Sequence, residues 1–427
     1  MLVTAVLAVW ALGTAASEGL MQAAADATIL LAVGLLLFRR ARLPTELHPP
    51  LWAGAALALY QALSPLCVWL TGGTEWPSVG RWLQCLDTAA APALVVAAGV
   101  GVRWAAVEVA AVGGWTASVA LGLVQHLVRW ELPLPPLLRL PVGRVHEVFD
   151  AEGQPRFAAG GFFFHRLRFA HGAVALLGPS LAAAVKADSP RRRWLGAWMA
   201  FLCALAVSLS YARAALGAVA LEGAAAAAGL SRRWTRRAGL AGVLVLLVAV
   251  ALAPGWRLRL TEAGENLLDG ERAVARAAGW DLVRSHPVLG VGFGNYHAAA
   301  LARSAETGLP AQLARDAHTL WLTAWAETGL VGVLLWLAWQ GLLARALWQR
   351  ARAGAWPAAG ALLSWGAFQA LALVHYLPFH SSVHLTFALV WGVGLVHQGA
   401  AASAQRPEVN AGRGLGAGVP AVVAGSG

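Results

Sequence analysis

Charged side chains are scarce here, and five of them stand where an apolar environment should be. Asp26, Glu108, Arg213, Glu222 and Glu327 lie in or at the edge of long apolar runs. A charge held at mid-membrane costs roughly 3 kcal/mol or more, so such residues face the inside of a helix bundle. There they either pair structurally, as Arg213 would with a carboxylate, or take part in chemistry. His318 begins another apolar run. An imidazole titrates near neutral pH and can accept a proton or orient a nucleophile, and a histidine at a helix start can equally be structural. Arg272, Arg276 and Arg284 recur at helical spacing, as on a solvated or lipid-headgroup face. Gly290-Val291-Gly292-Phe293-Gly294 looks superficially like a phosphate loop, but it lacks the G-x-G-x-x-G spacing and follows no strand, so a tight turn is expected. His375, His380 and His384 include an i,i+4 pair without a full metal-ligand set, and Cys67, Cys85 and Cys203 show no metal-ligand spacing.

The elements that must position these residues are membrane helices. Of the 427 residues 59% are hydrophobic and only 12% charged, with a mean hydropathy of +0.61. Soluble domains carry about twice that charge, and disordered chains carry more still. Apolar runs fall near 2–17, 24–38, 51–71, 86–102, 105–124, 171–186, 194–210, 212–230, 237–254, 319–342, 356–376 and 383–398. At about 20 residues per crossing, these twelve predict an all-α polytopic protein of about 12 transmembrane helices. The N-terminus, with no basic stretch before Leu2, reads as a first span rather than a cleaved signal.

Net charge is +11, and every basic residue except Lys186 is arginine. In a polytopic chain this balance reflects cytoplasmic loops rather than nucleic acid, and no nucleic-acid partner is expected. With the N-terminus inside, the cytoplasmic turns hold fifteen basic residues, and the short outer turns hold only Arg81 and Arg213. Two long loops then face outward. The first spans about 125–170. The second, 255–317, lies between helices 9 and 10 and reads as one or two amphipathic helices broken by Pro287 and Pro310. Residues 1–399 are expected to form the membrane domain and 400–427, rich in Ala and Gly, a disordered cytoplasmic tail.

Three segments share the outer side: Ser208-Leu209-Ser210-Tyr211-Ala212-Arg213; Glu271-Arg272 with Arg284-Ser285-His286-Pro287-Val288-Leu289-Gly290-Val291-Gly292; and Ala317-His318-Thr319, running on to Glu327-Thr328-Gly329-Leu330-Val331-Gly332. In order and spacing, over about 160–335, they resemble the O-antigen ligase and polymerase family of bacterial membrane glycosyltransferases. Phe162-Phe163-Phe164-His165-Arg166 is similar to the family's segment before its middle span. Two positions depart from the pattern: Tyr211-Ala212 precede Arg213 where a serine is usual, and Thr319 replaces an asparagine.

The resemblance implies an undecaprenyl-diphosphate-linked glycan as donor and transfer at the periplasmic face of the bacterial inner membrane. It places Arg213 and Arg272 at the functional arginines, with Arg276, Arg284 and His165 as further substrate-binding candidates and His318 as the residue that handles the acceptor hydroxyl. Guanidinium forks suit a leaving diphosphate because they bind its oxygens in pairs and stay charged. The family is metal-independent, and neither a metal nor another cofactor is expected. A lipid A–core sugar is the favoured acceptor. Another lipid-linked repeat would make the protein a polymerase, and a protein hydroxyl would make it an O-oligosaccharyltransferase. A secondary transporter is the rival class. It predicts inverted repeats and discontinuous helices, with Asp26 and Glu108 as proton-relay candidates, and no internal repeat is visible. Glu327, about 2.5 turns below His318, is expected to be an interior hydrogen-bonding residue rather than its partner.

Overall fold

The computed structural model describes residues 1–16, 18–38, 45–70, 76–99, 101–130, 146–149, 155–163, 165–229, 271–307, 316–377 and 381–396. Among them the chain forms α1 (Leu2–Ala16), α2 (Glu18–Leu37), α3 (His48–Leu70), α4 (Val79–Leu83), α5 (Cys85–Ala98) and α6 (Trp104–Val128). A two-stranded antiparallel hairpin follows, β1 (His146–Phe149) with β2 (Pro155–Ala158), His146 opposite Ala158. Then come α7 (Arg166–Lys186), α8 (Pro190–Ser210), α9 (Arg213–Gly229), α10 (Glu271–Ser285), α11 (Tyr296–Thr307), α12 (Leu320–Arg352), α13 (Trp356–Ala372) and α14 (Ser381–Val396).

Eleven of the twelve apolar runs coincide with helices, and the run 237–254 lies outside the described residues, as do the expected tail and parts of both long loops. Six helices are long and apolar enough to cross a bilayer, among them α6, α7, α8 and α12. The hairpin is the one departure from an all-α chain among the described residues. Helix α10 stops at Ser285, before Pro287, as its proline predicts, and Pro310 lies outside the described residues.

Local chemistry sets the helix ends. Ser189 caps α8 by accepting the Arg192 N–H at 3.2 Å, with Pro190 in the first turn, and Thr319 caps α12 by accepting the Leu322 N–H at 3.2 Å. The threonine thus does the cap's work at the position where the family pattern has an asparagine. Helix α7 is the hub, packed against α8, α9, α13 and α14. Its close approaches need glycine: a Cβ on Gly178 would stand 2.5 Å from the Gly360 carbonyl oxygen of α13. An aromatic core of Trp336, Trp339, Phe368, Phe387 and Trp391 joins α12, α13 and α14.

Helix α12 is not continuous. Gly329 has φ 64° and ψ −171°, which breaks the helix, and the turn after α10 fills the break. The Val291 N–H donates to the Ala326 carbonyl at 2.9 Å, and the Leu330 N–H donates to the Pro287 carbonyl at 3.0 Å. The glycines of the turn, Gly290, Gly292 and Gly294, all have positive φ. This is the tight turn expected from the sequence. A small separate core that includes Leu282, Val283, Val291, Tyr296, Leu322 and Ala326 seals α10 and α11 onto α12.

Candidate active site

The break between α8 and α9 presents Arg213. Tyr211 ends α8 in the left-handed conformation, φ 53°, and Arg213 opens α9. Helix α8 leaves its last carbonyls unpaired within the helix, and Arg166 takes them: its Nη1 donates to Ser210 O at 2.8 Å and Tyr211 O at 3.1 Å. The segment between α6 and α7 holds the same corner from the other side. Gln125 clamps the backbone of Gly160 and Gly161, and the Ala159 N–H donates to Leu209 O at 2.9 Å.

Arg272 sits in the first turn of α10, half-buried. Burial holds its guanidinium below the ordinary value, the positive charges of Arg213 and Arg276 push it further down, and Asp316 alone pulls it back. Three guanidiniums from two helices therefore gather with one carboxylate. Arginine stays charged throughout the working pH range, so like charge is concentrated here. Arg276 joins the group. Arg284 is exposed and is the penultimate residue of α10, about 12 Å along the axis from Arg276. His165 is engaged differently: it caps α7, its Nδ1 accepting the Leu167 N–H at 3.2 Å.

Asp316 connects the arginines to His318. Its Oδ1 accepts the His318 N–H at 2.6 Å and lies 3.6 Å from His318 Nδ1. His318 is held at φ 54°, a left-handed conformation that a non-glycine residue adopts only when its surroundings fix it. Its side chain is 35% exposed, so the ring is accessible while one nitrogen faces the carboxylate. Asp316 was missed by sequence reasoning, although an acid two residues before a histidine at a helix start was a local sign.

A second polar group lies deeper. Glu327, fully buried, accepts the Tyr376 hydroxyl at 2.9 Å and pairs with Arg81 at 3.6 Å. Arg81 also donates to Gln84 Oε1 at 2.7 Å and lies over the Tyr376 ring. This matches the interior role expected for Glu327. Arg81 and Tyr376 carried no sequence signal, because their partner is far along the chain. Tyr296 links the two levels: its hydroxyl donates to Ala275 O at 3.3 Å, and burial, then the charges of Asp316 and Glu327, push its phenol up. The other intramembrane charges are placed structurally. Arg192 pairs with Glu108 at 3.2 Å, Gln22 Nε2 donates to both Asp26 and Asp87 at 3.1 Å, and Glu222 is buried in α9. His375 faces His171 rather than His384, with ring centroids 4.8 Å apart, and His380 lies outside the described residues. Among the described residues no three metal-ligating side chains converge.

Fold and site together define a multi-pass helical membrane protein in which arginines gather near an accessible histidine. Residues 198–337, from within α8 to just past the break in α12, match the O-antigen ligase family. The matched stretch contains Arg213, Arg272, Arg276, Arg284, His318 and Glu327, and it leaves out His165, Arg81 and Tyr376. It marks a membrane enzyme of the ligase and polymerase type. A comparison with curated proteins finds no match.

Proposed function

We propose that the protein transfers a glycan from undecaprenyl diphosphate to an acceptor hydroxyl, with a lipid A–core sugar as acceptor, at the periplasmic face of the inner membrane and without a metal. The observation that carries this reading is the arginine group. Arg272 is half-buried among like charges that weaken its own protonation, and such a site is relieved by a multiply charged anion. A lipid diphosphate is such an anion, and guanidiniums bind it in forks.

In the reaction, the bond from the sugar's anomeric carbon to the diphosphate oxygen breaks, and the electron pair leaves on that oxygen. Arg213, Arg272 and Arg276 stabilise the charge as it develops. The acceptor oxygen forms the new glycosidic bond. Its proton passes to His318, whose ring Asp316 orients from the Nδ1 side. A polymerase would use the same steps on another lipid-linked acceptor. The transporter reading gains one feature from the break in α12, but the break is filled by the backbone of Pro287–Val291 and leaves no substrate path there.

Purified protein given lipid-linked donor and acceptor tests this. Arg213→Lys keeps the charge and loses the fork, so transfer should fall at least tenfold. Arg272→Ala should lose the thermal stabilisation that inorganic pyrophosphate gives the unmodified protein, while unfolding at the same or a higher temperature without it, since like-charge repulsion is relieved. Transfer should persist in excess EDTA. Normal transfer by both variants, or activity that a chelator abolishes and a divalent cation restores, would overturn the mechanism.

A further inference from the structure

A cavity lies at the opposite end of the bundle from the arginine group, enclosed by α1, α6, α7, α8, α13 and α14. Its place follows from the helix directions. Helices α6, α8 and α13 start there, α7 and α14 end there, and Arg213 and His318 sit at the far ends of α9 and α12. The wall includes Leu176, Met199, Leu389 and Val393, with Trp104 and Trp356 near the mouth. The cavity's volume is about 170 Å³. An enclosed apolar cavity of about 150 Å³ stays dry and takes up benzene. On the wall Ser180 Oγ donates to Leu176 O at 2.6 Å, and Glu108 Oε2 pairs with Arg192. The rest of the lining is mostly apolar, and a hydrocarbon chain gains by entering it.

The charge around the mouth selects the rest of the occupant. Lys186, Arg191 and Arg193 are exposed on the turn between α7 and α8, against one exposed acid, Asp188. Arg103 is exposed where α6 begins, and Arg352 is exposed just before α13. Trp104, Trp356 and the exposed Trp194 are amphipathic rings of the type that sits at headgroup depth. Basic pockets between membrane helices bind anionic lipid headgroups. We propose that this cavity is a binding site for an anionic phospholipid, one acyl chain seated between α6, α8 and α13 and the phosphate held by Lys186, Arg191 and Arg193. Glu108 and Asp188 oppose the phosphate, and Glu108 is itself neutralised by Arg192. The site is separate from the glycan chemistry and does not depend on it.

The test uses the full chain in nanodiscs of phosphatidylcholine with a trace of phosphatidylglycerol carrying a diazirine in one acyl chain. After illumination, cross-links should concentrate on peptides of α6, α8 and α13. Unlabelled phosphatidylglycerol should compete and added phosphatidylcholine should not. Ala111→Phe, which fills the cavity from α6, should cut labelling about tenfold. Arg191→Gln with Arg193→Gln should retain labelling and lower the preference for the anionic lipid about fivefold per charge removed. Three results would overturn the proposal: labelling spread evenly over the lipid-facing helices, better competition by undecaprenyl phosphate, or unchanged labelling of a folded Ala111→Phe protein. Should that variant fail to fold, the competition in the unmodified protein decides alone.

Discussion

At the scale of single residues, one carboxylate ties the site together. Asp316 acts on Arg272 through its charge, fixes the backbone of His318 and faces its ring. Asp316 therefore has two separable duties. Asp316→Asn keeps an oxygen for the His318 N–H but removes the charge beside Nδ1. Transfer should fall while donor binding survives, and the loss should be smaller than that of His318→Ala, for which losing a general base costs about 10²–10⁴-fold. Single-turnover transfer with donor prebound separates the two. An Asp316→Asn protein that transfers at the normal rate would leave the carboxylate a purely structural cap.

At the scale of elements, the decisive joint is the turn of Pro287–Val291 set into the break at Gly329. A Cβ at Gly329 would stand 2.0 Å from Val288 O, in a backbone region that is almost exclusively glycine's. The backbone alone sets the cost of Gly329→Ala at about 1–3 kcal/mol, and the collision adds to it. The variant should unfold at lower temperature and expose the turn to protease. Gly341→Ala, on the same helix with open space around it, should be neutral or should stabilise by up to about 1 kcal/mol. Equal behaviour of the two would remove the joint's importance. This joint also marks what the sequence could disclose. Hydropathy finds where α12 runs but is blind to φ, so the run 319–342 reads as unbroken. The turn glycines and the proline that follows α10 are local signals, and they were legible. Arg81 and Tyr376 meet Glu327 only through tertiary packing, and no local pattern encodes that meeting. His165 is a substrate-binding candidate through the family resemblance of its segment, and its cap of α7 follows from its place before a helical run.

At the scale of the whole molecule, the described helices place the arginine group and the basic α7–α8 turn at opposite ends. The bias of arginines in the short turns predicts that the second of these faces the cytoplasm. A cysteine introduced at Ser285, which is exposed, should react with an impermeant reagent added outside intact cells, and one at Asp188 should react only after permeabilisation. The reverse pattern would put the site on the wrong side for a lipid-linked donor displayed outside. The seat of the turn has a last consequence, for biogenesis. The receptor at Gly329 is translated about 40 residues after the turn it receives, so the catalytic face stays unfinished until the following span has been synthesised and inserted. Nascent chains arrested before Gly329 should be cut readily by protease between residues 286 and 296, and chains arrested well beyond it should resist. Equal protection in both would show that the outer segment folds before its anchor exists.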